Sequence, residues 1–395
     1  MIVRMARTTL VPLAVFLLSL LQPAHASTFT VIYTFHGGND GFNPTGRITY
    51  DKAGNLYGTT RNGGDDCKSP SGLDCGTAWA LAPDGTKTVL YSFGAHPRHG
   101  RSPSGLIRDD LGNLYGMTAA GGSKNDGTVF AIASSGRQSV LHSFSGQDGI
   151  SPYGDLAQDT AGNLYGTTLE GNGFYGSAFE LTPGGTQTTL HLFTGGSDGA
   201  NPYAGLTKDT AGNLYGTTFY GGGAVACGGQ PPTGCGTVFK IAPDGTETVL
   251  YAFTAQYDGA FPVGRLAIDA SGNLYGTTIS SDVNGGNGTA FEVSPSGNEK
   301  VLHYFSGGND GAVPFAGVVL DNSGNLYGTT FYGGAYCDCG TVWEIAPSGT
   351  ETILHTFSES DGAEPEGDLL LLKGDLYGTA SAGGDGYGTV FKLTP

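Results

Sequence analysis

Charge is scarce in this chain, and positive charge scarcer still. Charged residues make up 13% of the 395, with 18 Lys or Arg against 35 Asp or Glu. A surface so short of lysine and arginine, with a pI near 4.6, disfavours nucleic acid and anionic membranes, because both require clustered cations. It permits cations or neutral sugars. Sustained 3.6-residue periodicity is also missing beyond the N-terminus, which removes helical folds from consideration. The one long apolar run, Leu10 to Leu21, is too short and wrongly flanked to span a bilayer. With Arg4 and Arg7 before it and Ala24-His25-Ala26 after it, the run reads as a secretory signal peptide over residues 1–26. No Cys follows the cleavage site and no apolar tail closes the chain, so the expectation is a soluble, exported, monomeric domain over 27–395, secreted or periplasmic. Cleavage near Ala26 removes two arginines and no acids, taking the formal charge from −17 to −19.

What is abundant is glycine, with 70 residues, alongside 20 Tyr and 20 Phe. The glycines recur at fixed offsets among β-branched and aromatic residues, which marks turns rather than low complexity. The string Gly-Asn-Leu-Tyr-Gly-Thr-Thr stands at 54–60, 162–168, 212–218, 272–278 and 324–330, with variants at 112–118 and 374–380. Counted from Asn55, the seven copies are 58, 50, 50, 60, 52 and 50 residues apart. A period near fifty is that of a repeat architecture. Each unit reads as four short strands. In the fourth these are Ala204 to Asp209, Leu214 to Thr218, Thr237 to Ala242 and Glu247 to Phe253, with a Pro-Asp-Gly turn before the last. Four antiparallel strands per unit predict an all-β, seven-bladed β-propeller. The ends are complementary: residues 29–35 look like a fourth strand, and the chain stops after the third strand of its last unit. The N-terminal strand is therefore expected to complete the last blade by pairing with 389–394, leaving no exposed edge. The aromatics at one third-strand position, among them Trp79, Phe130, Phe239, Trp343 and Phe391, are expected between blades.

The motif, the double glycine after it, and the later Gly-Thr-Val-Phe with Pro-x-Gly-Thr resemble the Gloeo/Verruco (GloVer) tandem-repeat family, over residues from about 28 to the end. The resemblance implies a propeller-like secreted protein and no particular activity. Members carry varied surface-anchoring signals; this chain shows none, which favours free secretion. The Gly-Asn-Leu-Tyr turn is also similar to NHL-type propeller repeats. The double glycine is similar to kelch, whose Tyr and Trp spacing is missing.

Candidate chemistry is sparse. Six cysteines, Cys67, Cys75, Cys227, Cys235, Cys337 and Cys339, lie in loops between second and third strands of three non-adjacent units, so local disulfides are expected. Zinc is the weaker reading, since two ligands per isolated loop do not close a tetrahedral site. Asp40, Asp148, Asp198, Asp258, Asp310 and Asp361 each open an Asp-Gly-x-x-Pro connection. They are weak calcium candidates, but the dense oxygen-ligand spacing of a calcium loop is missing and turn chemistry explains them. No cofactor is predicted beyond that calcium option. His142, His191, His303 and His355 share a position with Tyr33, Tyr91 and Tyr251, which is a structural pattern. The second unit alone breaks the Asp-Gly rule, with His96, Arg98, His99 and Arg101 in a basic connection. Glu359, Glu364 and Glu366 form an acidic one in the last unit. Variable loops gather on one face of the ring, together with Phe174, Tyr175, Phe219, Tyr220, Phe331, Tyr332 and Tyr336. Function concentrates on variable loops held by a rigid scaffold. The expected role is a non-enzymatic scaffold binding a glycan or an extracellular protein on that face. An extracellular carbohydrate-active hydrolase or lyase is the first alternative, and a purely structural surface repeat the second.

Overall fold

A computed structural model describes residues 27–65, 67, 75–94, 96–227, 232–281 and 285–395. The expected leader, 1–26, lies outside the described residues. Seven antiparallel sheets follow one another around a ring, six of them blades built from inner strand to outer strand in chain order. Blade 1 comprises Phe42–Tyr50, Leu56–Asn62, Thr77–Leu81 and Lys87–Ser92. The last blade takes Leu370–Leu372, Asp375–Ala380 and Thr389–Thr394 from the C-terminus and its outer strand, Thr28–Thr34, from the N-terminus. Thr28 faces Thr394, Val31 faces Phe391 and Thr34 faces Thr389, so the expected closure is present in register. Inner strands of blades 4, 6 and 7 are shorter than expected; Thr207–Lys208 replaces the anticipated 204–209. The chain ahead of it is bent by the Pro-x-x-Gly segment, which interrupts the ladder.

The repeated motif is explained atom by atom. Asp51 Oδ1 accepts the N–H groups of Ala53 and Asn55, while Oδ2 accepts from Asn55 Nδ2 and Tyr57 Oη. The aspartate thus closes the first turn, and Asn and Tyr lock it. Leu56 enters the core, and Gly58 leaves the space filled by the indole of Trp79, its ladder partner. Thr60 Oγ1 meets Thr77 Oγ1 at 2.8 Å, fastening the second strand to the third.

The seams between blades repeat equally closely. At each one a third-strand aromatic meets a Phe from the end of the preceding outer strand, with centroids 4.9–5.9 Å apart and mostly edge-on or tilted. The closing contact, Phe35 with Trp79, is of the same kind as the six internal ones. A second latch lies toward the loop face. The residue before each connection proline (Asn43, Ser102, Ser151, Asn201, Phe261, Val313, Glu364) holds a positive φ of 52–60°. Its N–H donates to a carbonyl of the preceding blade, as Ser151 does to Asp126 and Phe261 to Cys235. For β-branched Val313 this conformation is strained, and the hydrogen bond holds it. The proline then packs on the glycine that begins the neighbour's third strand, as Pro152 does on Gly127.

Candidate functional site

The connection aspartates are spent on these seams. Asp148 lies 2.8 Å from His142 Nε2 and accepts the N–H of Ser145; Asp258 accepts from Tyr251 Oη and from the N–H of Thr254. Asp40, Asp198 and Asp310 make the same pair of contacts, with Tyr33, His191 and His303. Asp361 accepts the N–H of Ser358, and His355 approaches it at 3.2 Å. The six therefore stand on separate seams and do not converge. In blade 1, Lys87 Nζ, its side chain 3% exposed, sits 2.5 Å from Asp40 Oδ1. Three later blades carry Glu247, Glu299 and Glu351 in that place. Burial first, then the facing aspartate, pushes each of these carboxyls up to about 7. Among the described residues, His303, Asp310 and Glu351 form the one group whose ligand atoms all lie within 4.8 Å of one another.

The basic connection of blade 2 follows the same logic. His99 takes the aspartate's place, its Nδ1 2.7 Å from Tyr91 Oη, and Arg101 donates to Asn125 Oδ1. Burial, then the neighbouring His96, lowers the His99 pKa. Arg98 and His99 border a groove beside the outer strand of blade 2 that shares no residue with the channel lining.

The loop aromatics divide into two groups. Phe174 covers its own turn at Gly171, and Tyr175 packs against Gly195. Tyr332 and Tyr336 stand out from the surface, Tyr336 at 76% exposed. Phe219 and Phe331 instead pack against aromatics that line the channel. Phe219 lies 5.2 Å from Tyr203 and stacks on Phe261 at 4.9 Å, with Tyr220 edge-on beside them; Phe331 lies 6.3 Å from Phe315. Three local disulfides form, Cys67–Cys75, Cys227–Cys235 and Cys337–Cys339. Each places its second cysteine at the carbonyl that receives the next blade's latch hydrogen bond, from Ser102, Phe261 or Glu364. The bridges thus tie the longer loops to the seams, and they suit an oxidising compartment.

A concavity of about 90 Å³ lies at the channel mouth on the loop-rich face, a funnel open to solvent above. Its upper wall is aromatic, with Tyr153, Tyr203 and Phe315; Tyr153 and Tyr203 meet edge to face at 5.7 Å. Across it Arg61 donates to Tyr153 Oη at 2.6 Å and to Glu366 Oε2 at 3.4 Å. Burial raises the Tyr153 and Glu366 pKa values. Glu366 belonged to the acidic connection singled out in the sequence; Arg61, Tyr153 and Tyr203 did not stand out there.

Beneath lies a charged waist. The residue just before the buried inner-strand aliphatic is Arg47, Gly105, Asp155, Gly205, Arg265, Gly317 and Asp368 in successive blades. Charge and glycine alternate because the glycines make room. An added Cβ on Gly105 would strike the Asp155 carboxylate, and one on Gly317 would lie 2.8 Å from Asp368 Oδ1. Seven is odd, so the alternation fails once, where Asp368 and Arg47 become neighbours of opposite sign. Asp155 is 5% exposed. Burial, aided by Asp368 and opposed by Arg47 and Arg265, raises its pKa to about 6. Burial, with Arg47, lowers Arg265 to about 10. No direct ion pair joins these four groups among the described residues. The signal was in the sequence, as charge intruding on a glycine position of the repeat.

Together these features define a seven-bladed β-propeller with a polar-aromatic funnel on its loop face. The chain belongs to the Gloeobacter/Verrucomicrobia repeat family, whose model matches residues 17–231 and 223–395. A comparison with curated proteins finds no match. Among solved structures, it is similar to the extracellular domains of two B. thetaiotaomicron signalling proteins. One is a hybrid two-component system (11% identity, TM-score 0.57, 93% of this chain and 41% of that one). The other is a one-component system (14%, 0.57, 93% and 41%). This chain thus spans about two fifths of their length, and the likeness is one of fold. A gluconolactonase of Xanthomonas campestris is matched more loosely, at 13% identity and TM-score 0.46, over 93% of this chain and 89% of that one.

Proposed function

We propose that this protein works outside the cytoplasm as a binding protein that holds a glycan in the channel mouth of its loop-rich face. The funnel itself carries the reading: aromatic walls above a few convergent polar groups. Rings such as Tyr203 and Phe315 offer flat apolar faces to the C–H side of a sugar, and Arg61 with Glu366 offers hydroxyl partners at the rim. The disulfides support a location where thiols oxidise. A glycan array with the mature chain, repeated with Tyr203→Ala, is the direct test. Saturable binding lost in the variant supports the site, and a silent array removes it. A hydrolase or lyase at the same place is the second reading, favoured by the carboxyl of Asp155, raised to about 6 and so suited to proton transfer near neutrality, with Glu366 also raised by burial. Release of shorter products from a bound saccharide would establish it.

A further inference from the structure

Resting on that reading, we infer that the chamber above the charged waist recognises the terminal residue of a neutral, linear saccharide end-on, with Asp155 and Arg265 reading its hydroxyl groups. Three observations lead there. First, the waist divides the channel. Asp155 borders only the upper opening and Arg47 only the lower, while Arg265 and Asp368 border both and form the partition. A polymer entering from the loop face meets this partition and cannot thread through. Second, the waist groups keep bonding capacity to spare. Asp155 accepts one long hydrogen bond, from the Arg47 N–H at 3.5 Å; Asp368 accepts from the Gly317 N–H at 2.6 Å; Arg265 uses Nε on Thr207 Oγ1 at 3.1 Å. The remaining carboxylate oxygens and the Arg265 terminal nitrogens are left for other partners.

Third, both charge signs face one small space, which selects the ligand. An anion would meet Asp155, Asp368 and Glu366; a cation would meet Arg265 and Arg61. A hydroxyl satisfies both signs, donating to a carboxylate while accepting from a guanidinium, and neighbouring sugar hydroxyls repeat that pair at short spacing. The aromatic wall directly above suits the next ring of the chain. The alternation also explains why these side chains reach the axis at all. Glycine in blades 2 and 6 yields the space that Asp155 and Asp368 occupy.

The test is titration calorimetry on the mature protein with glucose-, xylose- and mannose-based linear trisaccharides, β-cyclodextrin as a ring without chain ends, and inorganic phosphate and glucosamine as charged probes. At least one linear neutral trisaccharide should bind, β-cyclodextrin and phosphate should not, and Asp155→Asn should weaken binding at least tenfold with the melting temperature preserved. If Asp155→Asn does not fold, Arg265→Lys carries the same expectation. Equal binding of cyclic and linear sugars, or preference for a charged probe, overturns the inference. So does full affinity in both waist variants when Tyr203→Ala has lost it, an outcome that leaves the mouth intact as a glycan site. Silence toward every saccharide overturns the inference and the parent reading together.

Discussion

Replacing Gly127 by Ala should open the seam between blades 2 and 3, and Gly136→Ala, in the same blade, isolates the reason. Both glycines hold a left-handed φ, 101° and 85°, so both substitutions carry the cost of an L side chain in that region, about 1–2 kcal/mol. Their surroundings differ. An added Cβ on Gly136 meets nothing within 4 Å. On Gly127 it would overlap Pro152 Cδ and sit 2.6 Å from the carbonyl oxygen of Thr118. Neither neighbour is a flexible side chain, because Pro152 begins an inner strand and Thr118 belongs to the ladder. Relieving the overlap means moving one blade against the next, at a further cost of about 1–3 kcal/mol. With an unfolding entropy of about 2.1 cal/mol/K per residue, a chain of this length changes by roughly 0.8 kcal/mol per kelvin. Gly136→Ala should therefore lower the melting temperature by about 1–3 °C and Gly127→Ala by about 3–6 °C. Scanning calorimetry of the two variants beside the parent decides the matter. Equal shifts would falsify the claim that a close Gly–Pro contact fastens the blades.

Four further outcomes follow from the same structure. Phe35→Ala removes a fully buried ring from the closing seam and should cost about 3–5 kcal/mol, as much as Phe253→Ala in an internal seam; near-neutrality would mean that the N-terminal strand does not close the ring. Glu299 is pushed up to about 7 by burial and by Asp258, which is itself bonded to Tyr251, and its Oε1 lacks a hydrogen-bond partner. A carboxyl that binds its proton more tightly when folded loses stability as pH rises from about 4.5 to about 7, so Glu299→Gln should melt higher than the parent at pH 8 and equally at pH 4. The Cys227–Cys235 bridge spans eight positions and should contribute about 2–3 kcal/mol on the loop-closure scale, read as the loss in denaturant midpoint when both become Ser. Chelator should leave the melting midpoint unchanged, because the connection aspartates already accept backbone N–H donors; a clear drop would revive calcium.

The repeat was legible because its residues serve local ends. The turn closed by Asp51, the space left by Gly58 for Trp79 and the Thr60–Thr77 contact are all satisfied within one blade, so the first six copies keep them, with Ser177 for the second Thr in the third. Ring closure was legible for a related reason: a lone outer strand at one end and a blade without one at the other are complementary. The aromatic loops were harder to place. Nothing in sequence separates Phe219, which packs against the channel wall, from Phe174, which folds over its own glycine. Departures from the repeat singled out the conspicuous His-Arg connection, where His99 takes the place of an aspartate on a seam.

Sequence alone thus determined the all-β class, the number of blades and the closing strand, since these rest on local periodicity and on contacts that repeat. Tertiary structure alone brought the residues of the proposed site together. Arg47, Asp155, Arg265 and Asp368 are scattered over 322 positions of the chain, and they share one waist only because closing seven blades brings every inner strand to a common axis.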